Sequence, residues 1–156
     1  MKYLFKKYKS NCTVFFETGT HIGTSIQDAY DLGFKRIISI ESEKRFYEYC
    51  MQRFQPLDAW EQIKLFLGRT EDNIEKLVQE WVNGRAMFWL DAHETNSPYK
   101  IEIEAILKHP RKDHVIIVDD IETYYIDTDW IKHKLLEHNP HYKFKIYEKK
   151  SLVCSL

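Results

Sequence analysis

Short apolar runs rich in β-branched residues alternate with stretches of helical periodicity from residue 13 almost to residue 156. The runs Thr13–Phe16, Arg36–Ile40, Ile63–Leu67, Ala86–Leu90 and His114–Val118 have the length and composition of buried strands, and each stops at an acidic residue or a glycine. Between them, apolar residues recur at helical spacing. Ile22, Ile26, Ala29 and Tyr30 share one face and Gly33 supplies the stop; Phe46, Tyr47, Cys50, Met51 and Phe54 mark a helix from about Glu43 to Phe54, which Pro56 ends. Ile74, Leu77, Val78, Trp81 and Val82 form the clearest stripe, closed by Asn83-Gly84. Ser97 as a cap and Pro98 in the first turn predict a helix carrying Ile101, Ile103, Ile106 and Leu107, with Pro110 beyond it, and another begins near Thr128 and ends at Asn139-Pro140. Tyr142–Tyr147 and Leu152–Leu156 are strand-like and closely linked, which favours an antiparallel hairpin. The pattern predicts a three-layer, doubly wound α/β domain over residues 1–156, with about seven strands, mostly parallel.

A chain of 156 residues suits one core. The 44% apolar and 30% charged residues are those of a globular protein, and no apolar run approaches the ~20 residues of a membrane span. The lysine-rich start, Met1–Ser10, lacks the apolar stretch of a secretory signal, so a cytoplasmic location is expected. Lysine plus arginine number 23 against 24 acidic residues, which gives no global field for nucleic acid or anionic lipid. Cys12, Cys50 and Cys154 show no metal-ligand spacing and read as reduced, buried thiols.

In a doubly wound sheet, ligands lie beyond the carboxyl ends of the strands. The first run is followed by Glu17-Thr-Gly19 and opens a helix through Thr20, Gly23, Thr24 and Ser25, so bare backbone can approach a ligand; the same glycines also fit a tight turn with no ligand. Glu41 follows the second run, about 20 residues past Gly19, where one carboxylate can take both hydroxyls of a ribose. Glu17 at the mouth of the turn disfavours a pyrophosphate, and Gly19 and Gly23 depart from the dinucleotide spacing. S-adenosylmethionine carries a sulfonium and an ammonium and no phosphate, and an acidic residue suits it.

From Thr13 to Leu156 the chain resembles the class I, Rossmann-like S-adenosylmethionine-dependent methyltransferases. The resemblance rests on Glu17-Thr-Gly19 with Gly23, on Glu41 as the ribose-binding acid, on Gly68-Arg69-Thr70-Glu71-Asp72 after the third strand where the family lines the adenine, and on the terminal hairpin. It implies a methyltransferase with Glu17, Gly19, Thr20, Gly23, Thr24, Ser25, Glu41, Gly68, Arg69, Thr70 and Asp91 around the cofactor.

The fourth and fifth strands end in Asp91 and in Asp119-Asp120, facing one cleft. Carboxylates crowded in this way repel unless they are protonated or share a cation, and Mg2+ or Mn2+ prefers such oxygen ligands. This resembles the metal-dependent O-methyltransferases of the catechol and macrocin type, whose metal ligands map to Asp91, Asp119 and Asp120. The implied reaction is methyl transfer to a metal-bound hydroxyl, with His93 and Asp91 as catalytic groups and His93 as the base. Tyr124 and Tyr125 could stack on an acceptor ring or pack the fold. Structural alternatives stand beside these roles: Asp91 binding the cofactor's ammonium, Asp119 or Asp120 capping a segment, His93 holding a loop. The short segment before the first strand predicts an open cleft, suited to a small-molecule or glycan acceptor, an oligomer, or a domain of a longer polypeptide. A nicotinamide-dependent oxidoreductase and a catalytically silent nucleoside-binding module are the competing readings.

Overall fold

A computed structural model describes residues 1–92 and 97–156. Its seven strands form one sheet: β1 (Val14–Thr18), β2 (Arg36–Glu41), β3 (Ile63–Leu67), β4 (Ala86–Leu90), β5 (Val115–Val118), β6 (Lys143–Tyr147) and β7 (Ser151–Ser155). Their order is β3-β2-β1-β4-β5-β7-β6. The first five are parallel, and β7 enters antiparallel between β5 and β6. The strand order reverses between β1 and β4, and the carboxyl ends of these two strands frame the crevice expected at such a switch.

The alternation of side chains along each strand sends successive residues to opposite layers. Phe15, Ile37, Met87, Trp89, Val115 and Ile117 pack with α1 (Lys2–Tyr8), α2 (Thr24–Asp31) and α3 (Lys44–Phe54). Phe16, Ile38, Ile40, Phe88, Leu90 and Ile116 pack with α4 (Thr70–Trp81), α5 (Tyr99–Leu107) and α6 (Thr128–His138). Both faces are covered, which is why the five parallel strands read as continuous apolar runs.

Several details depart from the sequence pattern. The first helix, α1, was not signalled, yet it seats Phe5 in the core against Phe15 and Trp89, with ring centroids 5.0 and 5.1 Å away. On α2 only Ile26 and Ala29 of the expected stripe are buried, while Ile22 and Tyr30 are exposed. On α3, Cys50 and Phe54 are buried and Phe46 and Tyr47 half-buried. Pro98, not Ser97, stands at the N-cap of α5. On α6 the expected start is held by Asp127, whose side chain accepts from Trp130 N at 2.9 Å.

At the opposite end of the sheet from the crevice, two buried histidines tie β4 to β5. Ala86 N donates to His114 Nδ1 at 3.1 Å, so His114 carries its proton on Nε2 and donates it to His109 Nδ1 at 3.0 Å; His109 Nε2 in turn donates to the Val82 carbonyl at 2.9 Å. Every ring nitrogen is used with both rings neutral, and burial together with His109 pushes the His114 pKa down to about 3.

Candidate active site

β1 runs two residues further than its apolar run suggests, and this moves Glu17 inside the sheet. Its side chain is fully buried on the α2 face, where Ser25 and Ser39 donate hydroxyls to it, the latter at 2.7 Å. Burial pushes its pKa up to about 8. Glu17 is therefore a neutral acid over much of the range below that value, set beneath the turn and not at its mouth. Thr20 and Ser25 are turned inward as well, with the Thr20 hydroxyl paired to Ser39.

The turn glycines are required by protein neighbours. A Cβ on Gly19 (φ +82°) would stand 2.6 Å from the Asp91 carbonyl oxygen, so β1's exit passes directly over the end of β4. A Cβ on Gly23 (φ +76°) would meet the Phe54 ring at 2.5 Å and Cys50 Sγ at 3.1 Å, so this glycine lets α3 close over the start of α2. Thr24 is exposed at the first position of α2.

Glu41 ends β2 and accepts two backbone N–H groups, from His21 and from Glu43, each at 2.7 Å. These bonds shape the turn after β1 and leave each oxygen further acceptor capacity. A cavity of about 300 Å3 opens over the crevice, lined by Gly19, His21, Ile40, Glu41, Phe46, Arg69, Thr70, Glu71, Asp91 and Pro98 among others. Of the residues expected around a cofactor, Gly19, Glu41, Arg69, Thr70 and Asp91 line this cavity. Glu17, Thr20, Gly23, Thr24, Ser25 and Gly68 do not. Glu71 of the segment after β3 lines the cavity too, and His21 and Phe46 are additions to the expected set; these two pack ring on ring 4.3 Å apart, which no spacing rule connects. Arg69 Nε donates to Glu71 at 2.9 Å, so the lining cation is paired, while Glu41, Glu43 and Asp91 add acidic side chains to the lining.

Asp91, Asp119 and Asp120 do converge. One oxygen from each lies within 4.8 Å of the others. Asp91 takes Trp89 Nε1–H at 3.3 Å, and burial with the charges of Asp119 and Asp120 raises its pKa to about 7. Asp119, buried, accepts the Ser151 hydroxyl at 2.5 Å. Asp120 adopts φ +48°. Lys150, in the turn before β7, was absent from the sequence-based set because only the fold-back of the hairpin brings it here: its Nζ lies 3.3 Å from Asp119 and 3.4 Å from Asp120. His93 lies outside the described residues. Glu102 on α5 is buried near Thr18 and Asp91, and its pKa is pushed up to about 8 by burial. A second cavity of about 280 Å3, lined by Ile121, Glu122, Ile126, Thr128, Ile146 and Lys149, lies along the segment that follows Asp120; Tyr125 stands in solvent there.

No family model matches the sequence, and no curated protein matches it. Solved structures do match in fold. A Podospora anserina methyltransferase with SAH bound aligns over 99% of this chain and 75% of its own at TM-score 0.71 and 13% identity. An O-methyltransferase from Bacillus cereus in complex with SAH aligns over 99% and 78% at 0.70 and 15%. The O-methyltransferase from Streptomyces achromogenes involved in tomaymycin synthesis, in complex with SAM, aligns over 99% and 77% at 0.67 and 17%. The chain has the class I, Rossmann-like fold of these methyltransferases, with the antiparallel β7 placed between β5 and β6.

Proposed function

We propose that the chain is an S-adenosylmethionine-dependent O-methyltransferase whose transfer is assisted by a divalent cation. The observation that carries this reading is the cavity at the β1–β4 switch point, with Glu41 at one wall and Asp91 at the other. Its acidic lining, with Arg69 paired to Glu71, suits a cofactor bearing a sulfonium and an ammonium better than a pyrophosphate. Glu41, already oriented by two backbone donors, keeps lone pairs for a ribose diol, and Ile40 and Phe46 offer apolar surface for a base. S-adenosylmethionine would supply the methyl group from its sulfonium, whose sulfur departs as a neutral thioether.

The clustered oxygens of Asp91, Asp119 and Asp120 fit a hard cation, Mg2+ or Mn2+, which would lower the pKa of an acceptor hydroxyl. Asp91 belongs to both the cavity and the cluster and so stands where cofactor and acceptor meet. His93 is the proposed base, placed by sequence two residues after Asp91. The acceptor we propose is a sugar or glycan hydroxyl. The cavity beyond Asp120 has apolar walls for a ring face, with Glu122, Thr128 and Lys149 for hydroxyls.

Calorimetric titration with S-adenosylhomocysteine and, separately, with NAD tests the cofactor. Binding of the first alone is expected, and Glu41→Ala should weaken it at least tenfold, given the loss of about 1.4 kcal/mol or more of charge-assisted hydrogen bonding. Binding of NAD alone would overturn the reading in favour of an oxidoreductase.

A further inference from the structure

The turn between β6 and β7 delivers a cation of the chain's own to the acid cluster. Lys150 Nζ contacts Asp119 Oδ2 at 3.3 Å and Asp120 Oδ1 at 3.4 Å. Its backbone is fixed for this contact: Ile121 N donates to the Lys150 carbonyl at 2.9 Å, and Lys150 N donates to the Tyr147 carbonyl at 2.8 Å, closing the turn. The next residue, Ser151, donates to Asp119 Oδ1, so each oxygen of this buried carboxylate is engaged by the hairpin, one by a hydroxyl and one by an ammonium. The Lys150 side chain is 54% exposed against 4% for that of Asp119. It reaches in from solvent on a flexible stem and has room to swing back out. A divalent ion shared by the three aspartates draws an oxygen from each, and this ammonium already occupies one oxygen of two of them.

We propose that Lys150 is a tethered counter-ion of the Asp91–Asp119–Asp120 cluster, displaced when a divalent cation binds, and that it thereby sets the affinity of the site for that cation. The inference rests on the metal-assisted reading above. Displacement exchanges one ammonium for one dication, so the acids keep a compensating charge throughout and the lysine is released toward solvent.

The test is Mn2+ titration of the whole chain, followed by loss of the free-ion paramagnetic resonance signal, on the wild type, Lys150→Met, Lys150→Arg and Lys149→Met. Removing a unit charge at contact distance from a partly exposed site should tighten the Lys150→Met dissociation constant about five- to tenfold. Lys150→Arg should stay near wild type. Lys149→Met, which removes the same charge one exposed residue away, should change affinity less than about twofold, as expected of a screened surface charge. Unchanged or weaker binding by Lys150→Met, or an equal gain in Lys149→Met, would overturn the displacement while leaving the metal site standing. Failure of every form to take up Mn2+ would overturn both, and S-adenosylhomocysteine binding by the same samples reports separately on the nucleoside site.

Discussion

Gly19 carries two demands at one position: a left-handed φ of +82° and an open space 2.6 Å from the Asp91 carbonyl where any Cβ would sit. Gly19→Ala should therefore lose roughly 2–4 kcal/mol of stability, the sum of a left-handed backbone penalty and an overpacked contact against backbone that cannot rotate away. Urea denaturation measures this, and a loss under about 0.5 kcal/mol, the range of an ordinary surface change, would mean that the crossing of β1 over β4 is looser than described. The glycines were legible in the sequence, but their neighbours were not. Spacing alone marks a turn that needs no side chains and leaves open whether ligand or protein fills the space. The position of Glu41 beside the cavity was legible for the opposite reason, since the distance from Gly19 is set by one helix and one strand and hardly varies with packing. Glu17 was read one step too far out because the apolar run stops two residues before the strand does, at a carboxyl that the sheet accommodates through Ser25 and Ser39.

The inner parallel strands were legible because burial on both faces leaves long apolar runs that no exposed element would show, and the terminal hairpin, whose β6 is a largely exposed edge strand, was legible from its strand-like composition and short link. The first helix was not. Seven residues are too few to be helical on their own, and four lysine-flanked aromatic or aliphatic positions give no decisive period. What holds α1 is docking, chiefly Phe5 between Phe15 and Trp89. Phe5→Ala should cost about 3–5 kcal/mol, as a large buried aromatic does, and should free the segment to proteolysis ahead of the rest. A near-neutral effect on the denaturation midpoint would show that α1 contributes little to the core. The Lys150 contact was hidden for a topological reason: it joins residues about 30 apart through a hairpin whose register is set by β5–β7 pairing.

Over the whole molecule, buried titratable groups pull stability in opposite directions with pH. Glu17 and Glu102, raised to about 8, and Asp91, raised to about 7, stay protonated in the folded chain where the unfolded chain has already released those protons. Their contribution is present at low pH and is lost as pH climbs through those values. His114, lowered to about 3, stays neutral when folded, so its contribution is present above 6.5 and is lost as pH falls below that. Between pH 6.5 and 8, of the four groups named, only the carboxyls differ. Without added divalent cation, the denaturation midpoint should therefore drop across that interval, with a slope of up to about 1.4 kcal/mol per pH unit for each group. Glu17→Gln should flatten part of the drop. A midpoint that holds steady or rises from pH 6.5 to 8 would show that these acids ionise freely in the fold.

The strand order also imposes a timetable. β1 lies at the middle of the sheet, with β2 on one side and β4 on the other, and its partner in β4 arrives more than sixty residues later in the chain. The proposed nucleoside wall, Gly19 through Glu71, can assemble as β1, β2 and β3 zip together from neighbouring sequence. The acid cluster waits for Asp91, then for Asp119 and Asp120, and at the last for the turn that bears Lys150 and Ser151. Pairings of this range are slow to close. A refolding chain is thus expected to complete the proposed nucleoside wall before it completes the proposed cation site, with the two halves of one crevice maturing at different times.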